Sequence, residues 1–298
     1  MLGIFVDILV PVFLVVGAGF VLARTVGIKP EGLATLAYWV LGPVFIFDIL
    51  SGADLEAGEV ARIVAATVAA VAAVGVLAGV AGRMVGSSRS LTSATVLSSI
   101  HGNVGNFGLA IVAFALGEGA LPIAGIVMVT INTVGILIGV GLATSREHHL
   151  GRAAWRALTT PLALAVVPAL MVNMSNIELP LWFDRPVSLV AAAMIPVMLL
   201  TLGVQLAGME KVMPSTKVGI PIAMKLIVNP VAAFVAVVVL GLTGTAADVV
   251  VLQAAMPAAV FTSLIALEHD LEPDFVTSVL LSGTLVSALT IPVVIALI

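Results

Sequence analysis

The 298-residue chain has no cysteine, a single tyrosine and few charges. Without cysteine there is no disulfide framework, no thiol nucleophile and no thiolate for a metal. Charged residues make up 9% of the chain, against about 25% in a soluble domain, so no water-facing surface can be covered. The net charge of −4 includes no basic run, which removes the electrostatic footprint of a nucleic-acid partner. What is present is apolar: 61% of residues are hydrophobic, with a mean hydropathy of +1.26. This is the composition of an integral membrane protein. The opening MLGIFVDILVPVF has no basic residue ahead of its apolar run and carries Asp7, so it reads as a retained first span and not a cleaved leader.

A helix needs about 20 mostly apolar residues to cross the hydrocarbon layer. Cutting at charged or turn-rich breaks predicts ten such spans, over 3–24, 30–51, 59–83, 91–116, 119–144, 155–176, 186–209, 217–243, 246–268 and 274–298. The runs are long and uniformly apolar, unlike the short alternating strands of a membrane barrel. The predicted class is therefore an all-α membrane protein. With the amino terminus outside, nine of the twelve basic residues fall in cytoplasmic segments, only Arg62 and Arg185 fall outside, and Lys225 lies within a span. The positive-inside bias thus predicts a multi-pass protein of the cell (inner) membrane with both termini outside.

The longest cytoplasmic connector, SREHHLGRAAWR at 145–156, splits the chain nearly in half. Its His148–His149 pair reads as part of a solvated loop. Features recur across it at similar spacings: Pro11 with Pro161 at 150, Pro43 with Pro196 at 153, and Asn103 with Pro257 at 154. The expected organisation is a five-helix repeat over 1–144, the connector, and a second five-helix repeat over 157–298. Five is odd, so the second copy enters the membrane from the other side. Such inverted repeats characterise secondary transporters, whose site lies near the midplane where broken helices meet.

The stretch HGNVGNFG at 101–108 interrupts the fourth span with three glycines and two asparagines. Glycine weakens a helix, and asparagine offers its backbone neighbours an alternative partner. Irregular backbone at membrane depth survives only beside protein or a water-filled cavity. The equivalent place in the second half is MPAAVFTS at 256–263. There Pro257 removes a helical hydrogen bond, and Thr262 and Ser263 can satisfy freed carbonyls. A half-helix starting near Asn106 would aim N–H groups and a positive dipole end at an anion, and one ending near Gly102 would offer carbonyls to a cation. Asn103 and Asn106 add uncharged amides, and Asn132 of the fifth span can face the same cavity. Close helix packing on small residues explains the same glycines without a ligand.

Ionisable residues in spans are functional candidates. Lys225 lies about 12 Å beyond Lys217 at helical rise. It either attracts an anionic solute or snorkels to the cytoplasmic interface. Asp7 and Asp48 read as solvated rims. Glu268 and His269, within ALEHDLEPD, read as a solvated loop, with an ion relay as the sharper alternative. The span methionines, Met128, Met171, Met174, Met194 and Met198, read as core packing, and Tyr38 and Trp39 read as scaffold packing, with Tyr38 able to reach either the scaffold or a ligand. His101 is the one span histidine and reads as locally hydrogen-bonded. No GxSxG, HExxH or intramembrane aspartate pair is present, so enzymatic chemistry is not expected.

The segments VPVFLVVGAGFVLAR, LAYWVLGPVFIFDIL and HGNVGNFGLAIVAFALGEGAL, then KLIVNPVAAFVAVVVLGLTG and AAMPAAVFTSLIALEHDLEPDFVTSVLLSGTLVSALTIPV, together resemble the auxin efflux carrier family. The resemblance covers nearly the whole chain in order and spacing. The family usually has proline where this chain has Ala110, so the first break must rest on glycine and asparagine. The long cytoplasmic loop of many plant members is missing, which points to a compact bacterial-type carrier. The resemblance implies a fold similar to bile acid–sodium symporters and sodium–proton antiporters. It implies a dimerising scaffold from spans 1, 2, 6 and 7 and an elevator-like transport domain from spans 3–5 and 8–10, with crossed, broken spans 4 and 9. It implies no cofactor and a small organic anion as substrate, auxin or a carboxylate such as malate. Expected substrate contacts are Asn103, Asn106, Asn132, Pro257, Thr262 and Lys225. The competing reading is a sodium-coupled symporter or ion antiporter, with Na+ or H+ as coupling ion and a cation held around Gly102, Gln253 and Glu268.

Overall fold

A computed structural model describes residues 2–143, 150–175, 177–209 and 215–298. Regular structure among the described residues is helical. The helices are α1 Phe5–Val26, α2 Pro30–Ser51, α3 Ala57–Met84, α4 Arg89–Ile100, α5 Val104–Leu116, α6 Leu121–Ala143 and α7 Leu150–Leu158. They continue with α8 Pro161–Ser175, α9 Leu181–Gly208, α10 Thr216–Val239, α11 Gly244–Ala254, α12 Phe261–Glu268 and α13 Pro273–Leu297. Among the described residues, seven stretches are long and apolar enough to cross a membrane unaided: α1, α2, α3, Glu118–Ile138, α9, α10 and α13. Large apolar side chains such as Leu14, Val76, Val239, Leu285 and Leu289 point outward on them. Water would penalise that surface and lipid does not.

Proline shapes three of the long helices. The wide turns Phe5–Leu9, Ala37–Leu41 and Met224–Val228 each end two residues before a proline, at Pro11, Pro43 and Pro230. A proline cannot donate to the carbonyl four residues back and its ring crowds that carbonyl. A locally wider turn absorbs both effects without breaking the span.

Helices α1 and α9 meet backbone to backbone. A Cβ on Gly203 would overlap the Val16 carbonyl oxygen, and one on Gly19 would overlap that of Leu200. Small residues at both contact points allow this approach. Three side-chain bonds tie chain segments predicted to lie on the outer side. Asn173 Nδ2 donates to Ala53 O at 2.6 Å, Ser188 Oγ to Asp48 Oδ1 at 2.8 Å, and Arg62 Nη1 to Gly241 O at 3.2 Å.

The sequence reading needs one correction here. The connector does not run as a loop into a span beginning at 155, because Leu150–Leu158 is a helix of its own. Helix α8 starts afresh at Pro161, and Thr160 Oγ1 caps it by accepting from Ala163 N at 3.3 Å. A hydroxyl followed by proline at the first helical position is a strong start signal. Arg146, His148, His149 and Lys211 lie outside the described residues.

Candidate functional site at the crossing of two broken helices

The fourth predicted span is interrupted between Ile100 and Val104, and the ninth between Ala254 and Phe261. The two interruptions touch. Gly102 and Ala258 form an isolated antiparallel bridge. Asn103 N donates to Pro257 O at 2.7 Å, and Ala259 N donates to His101 O at 3.1 Å. Each break thus satisfies backbone groups the other leaves free, which is what makes non-helical chain tolerable at this depth. On the first strand of the crossing, Asn103 O accepts from Gly108 N at 2.9 Å and Phe107 N at 3.3 Å, closing the wide first turn of α5. That turn runs Val104–Gly108, so the helix restarts slightly before the expected Asn106, and Ala110 sits in regular helix. On the second strand, Thr262 Oγ1 donates to Ala259 O at 2.5 Å and Ser263 Oγ to Val260 O at 2.7 Å, the role predicted for both.

Four helix ends converge here. The carboxyl ends of α4 and α11 carry the negative end of the helix dipole, and the amino ends of α5 and α12 carry the positive end. Lys225 and Asn229, one turn apart on α10, attend to the carboxyl end of α11. Lys225 Nζ donates to Ala254 O at 3.1 Å and Asn229 Nδ2 to the same oxygen at 3.0 Å. A cation at a helix carboxyl terminus is electrostatically favoured. Lys225 is buried and does not snorkel. Its ammonium fills the space beside Gly102, where a Cβ would lie 2.8 Å from Nζ. Gly108 is needed for a similar reason, since a Cβ there would strike the Gln253 amide.

A cavity of about 470 Å3 opens against the crossing. Asn103, Asn106 and Asn132 line it, together with the backbone from Gly102 to Asn106. Asn103 is buried and its Nδ2 has no partner among the described residues. Asn106 Nδ2 donates to Gln205 Oε1 at 3.4 Å. Among the described residues no charged side chain lines the cavity. Gln205 lines it as well, and the remaining walls are apolar or hydroxylic, including Trp39, Met128, Met194, Met198, Phe261 and Thr201. Such a space suits a solute with an apolar body and one polar group, oriented by a few amides.

The expected residues therefore divide. Asn103, Asn106, Asn132 and Gly102 share the cavity. Pro257, Thr262 and Lys225 belong to the crossing behind it and do not line it. Gln253 is fully buried, and neither of its amide atoms has a partner among the described residues. Glu268 is exposed at the far end of α12, away from the cavity. Tyr38 and Trp39 are exposed and line the cavity, and Met128, Met194 and Met198 line it as well as packing. Gln205 and Asn229 went unrecognised in the sequence. The signal for Asn229 was available: it lies four residues after Lys225, on the same helix face.

A family model described as membrane transport protein matches residues 145–295. That interval holds the second broken helix together with Lys225, Asn229 and Gln205. No curated protein matches the chain.

Proposed function

The chain belongs to the auxin efflux carrier family of membrane transport proteins, and from that premise we propose that it is a secondary active transporter of small organic anions, auxin-like or carboxylate. The observation that carries the reading is the cavity of about 470 Å3 set against two crossed helix breaks and lined by three asparagine amides. An anion there meets the amino ends of α5 and α12 and the amides of Asn103, Asn106 and Asn132, with no need for a permanent positive charge in the wall. Lys225, Pro257 and Thr262 act from behind. Lys225 supplies a positive field at the crossing, and the other two hold the backbone that presents the amides.

Ten spans in two oppositely inserted halves are the arrangement this mechanism uses. It is supported by joining α4 to α5 and α11 to α12 as single interrupted spans, and by the bonds between segments assigned to the outer side. Alternating access by an elevator movement fits the close α1–α9 contact as a fixed frame. Cell (inner) membrane placement, outward termini and a homodimer complete the proposal. The chemistry is movement of a solute and not turnover, in keeping with a transporter family.

A second reading is favoured by one observation. The buried amide of Gln253, without a partner among the described residues and near the carboxyl end of α11, offers an oxygen to a coupling Na+. Uptake of radiolabelled indole-3-acetate, benzoate and malate into proteoliposomes, with and without a sodium gradient and at two pH values, tests both. Saturable uptake of at least one carboxylate is expected. Sodium flux without carboxylate uptake would replace the organic-anion reading with the cation one.

A further inference from the structure

Among the polar residues of the cavity, Gln205 comes from a helix that has no break. Gln205 projects from α9, on the stripe that also carries Met194, Met198 and Thr201 to the cavity. Those spacings of four, three and four residues keep one helical face toward the solute. The backbone bearing Gln205 is held, because Gly203 lies against the Val16 carbonyl of α1 with no room for a side chain. The backbone bearing Asn106 is held as well, through Asn103 N on Pro257 O and Gly108 N on Asn103 O. Between these two walls runs the bond from Asn106 Nδ2 to Gln205 Oε1, at 3.4 Å. That length is at the long edge for such a bond. A third group placed between the amides would be held more tightly than they hold each other.

Resting on the proposed anion site, we propose that Gln205 contacts the solute and sets its selectivity, forming with Asn106 a two-amide clamp for a carboxylate or carboxamide. A primary amide is both donor and acceptor, and a half-turn exchanges its oxygen and nitrogen. A solute oxygen that takes Asn106 Nδ2 displaces Gln205 Oε1. A half-turn of Gln205 then presents Nε2 to the same solute group. The solute is thus gripped by N–H donors from opposite walls, one on the crossing and one on α9. Asn103 Nδ2, buried at the cavity and without a partner among the described residues, supplies a further donor. The ammonium of Lys225 beyond Gly102 tilts the amphoteric pair toward acceptors and against cations.

The test compares wild type with Gln205→Glu and Gln205→Leu in purified, membrane-reconstituted protein. Equilibrium binding is measured for benzoate and indole-3-acetate and for their uncharged counterparts, benzamide and indole-3-acetamide. A glutamate at 205 still accepts from Asn106, so the unfolding temperature should hardly move. Its charge opposes an anion, and carboxylate affinity should fall at least about tenfold while carboxamide affinity changes less than about threefold. Gln205→Leu should weaken both probe types by about the same factor, leaving their ratio unchanged. Carboxylate binding by Gln205→Glu at wild-type strength, or an equal loss of both probe types, would overturn the clamp and leave the anion site standing. Wild-type protein that binds none of the four probes would overturn the anion site and the clamp together.

Discussion

At the scale of the residue, the asparagines at the crossing do two separable jobs. Asn103 uses its backbone N–H to hold Pro257 O and leaves its side-chain amide facing the cavity. Asn103→Ala keeps the first and removes the second. The expected outcome is a protein that unfolds within a few degrees of wild type yet binds carboxylates roughly ten- to 150-fold more weakly, since a lost hydrogen bond to a charged group is worth about 1.5–3 kcal/mol. Binding isotherms with thermal unfolding on the same preparation check it. The paired roles were partly legible in HGNVGNFG, because glycine and asparagine in an apolar run have few other uses. Gln205 was not legible: LTLGVQLAG reads as close-packing helix, and its role emerges only once Gly203 seats α9 against α1.

The broken element is stabilised at its carboxyl end by two donors sharing one acceptor. Ala254 O accepts from both Lys225 and Asn229. Either replacement alone leaves one donor in place, and removing Lys225 also relieves the cost of a buried charge. The double variant Lys225→Met with Asn229→Leu strands the carbonyl. It should lose about 1–2 kcal/mol more than the sum of the singles, measured by denaturant or thermal unfolding. Strict additivity would mean that the helix end finds another partner. The α1–α9 contact makes a sharper steric case. Gly203→Ala forces a Cβ into the Val16 carbonyl, whereas Gly17→Ala, on the open face of α1, meets nothing within 4 Å. The first should cost at least about 1–3 kcal/mol, and the second should gain up to about 1 kcal/mol from helix propensity.

At the scale of the whole molecule, the two interruptions were readable directly in the sequence. The depth of Lys225 was readable, but its destination was not. Its acceptor lies 29 residues onward, in an alanine backbone that carries no chemical label. Helix α7 was hidden for a different reason: Arg152 and Arg156 drew attention to charge, while Leu150, Ala154 and Leu158 carry a helical period. A chain without cysteine is a ready background for mapping sidedness. Glu56→Cys should react with an impermeant maleimide in intact cells, and Glu268→Cys only after permeabilisation. The reverse pattern would invert the proposed orientation.

The claim on which the account turns is that the crossing of the two breaks is where the solute sits. Equilibrium binding of carboxylates to the double variant Asn103→Ala with Asn106→Ala, reconstituted beside wild type, addresses it most directly. The account requires carboxylate binding in wild type and its loss in the double variant, with the fold retained. Equal affinity in the two proteins would place the solute elsewhere and contradict it.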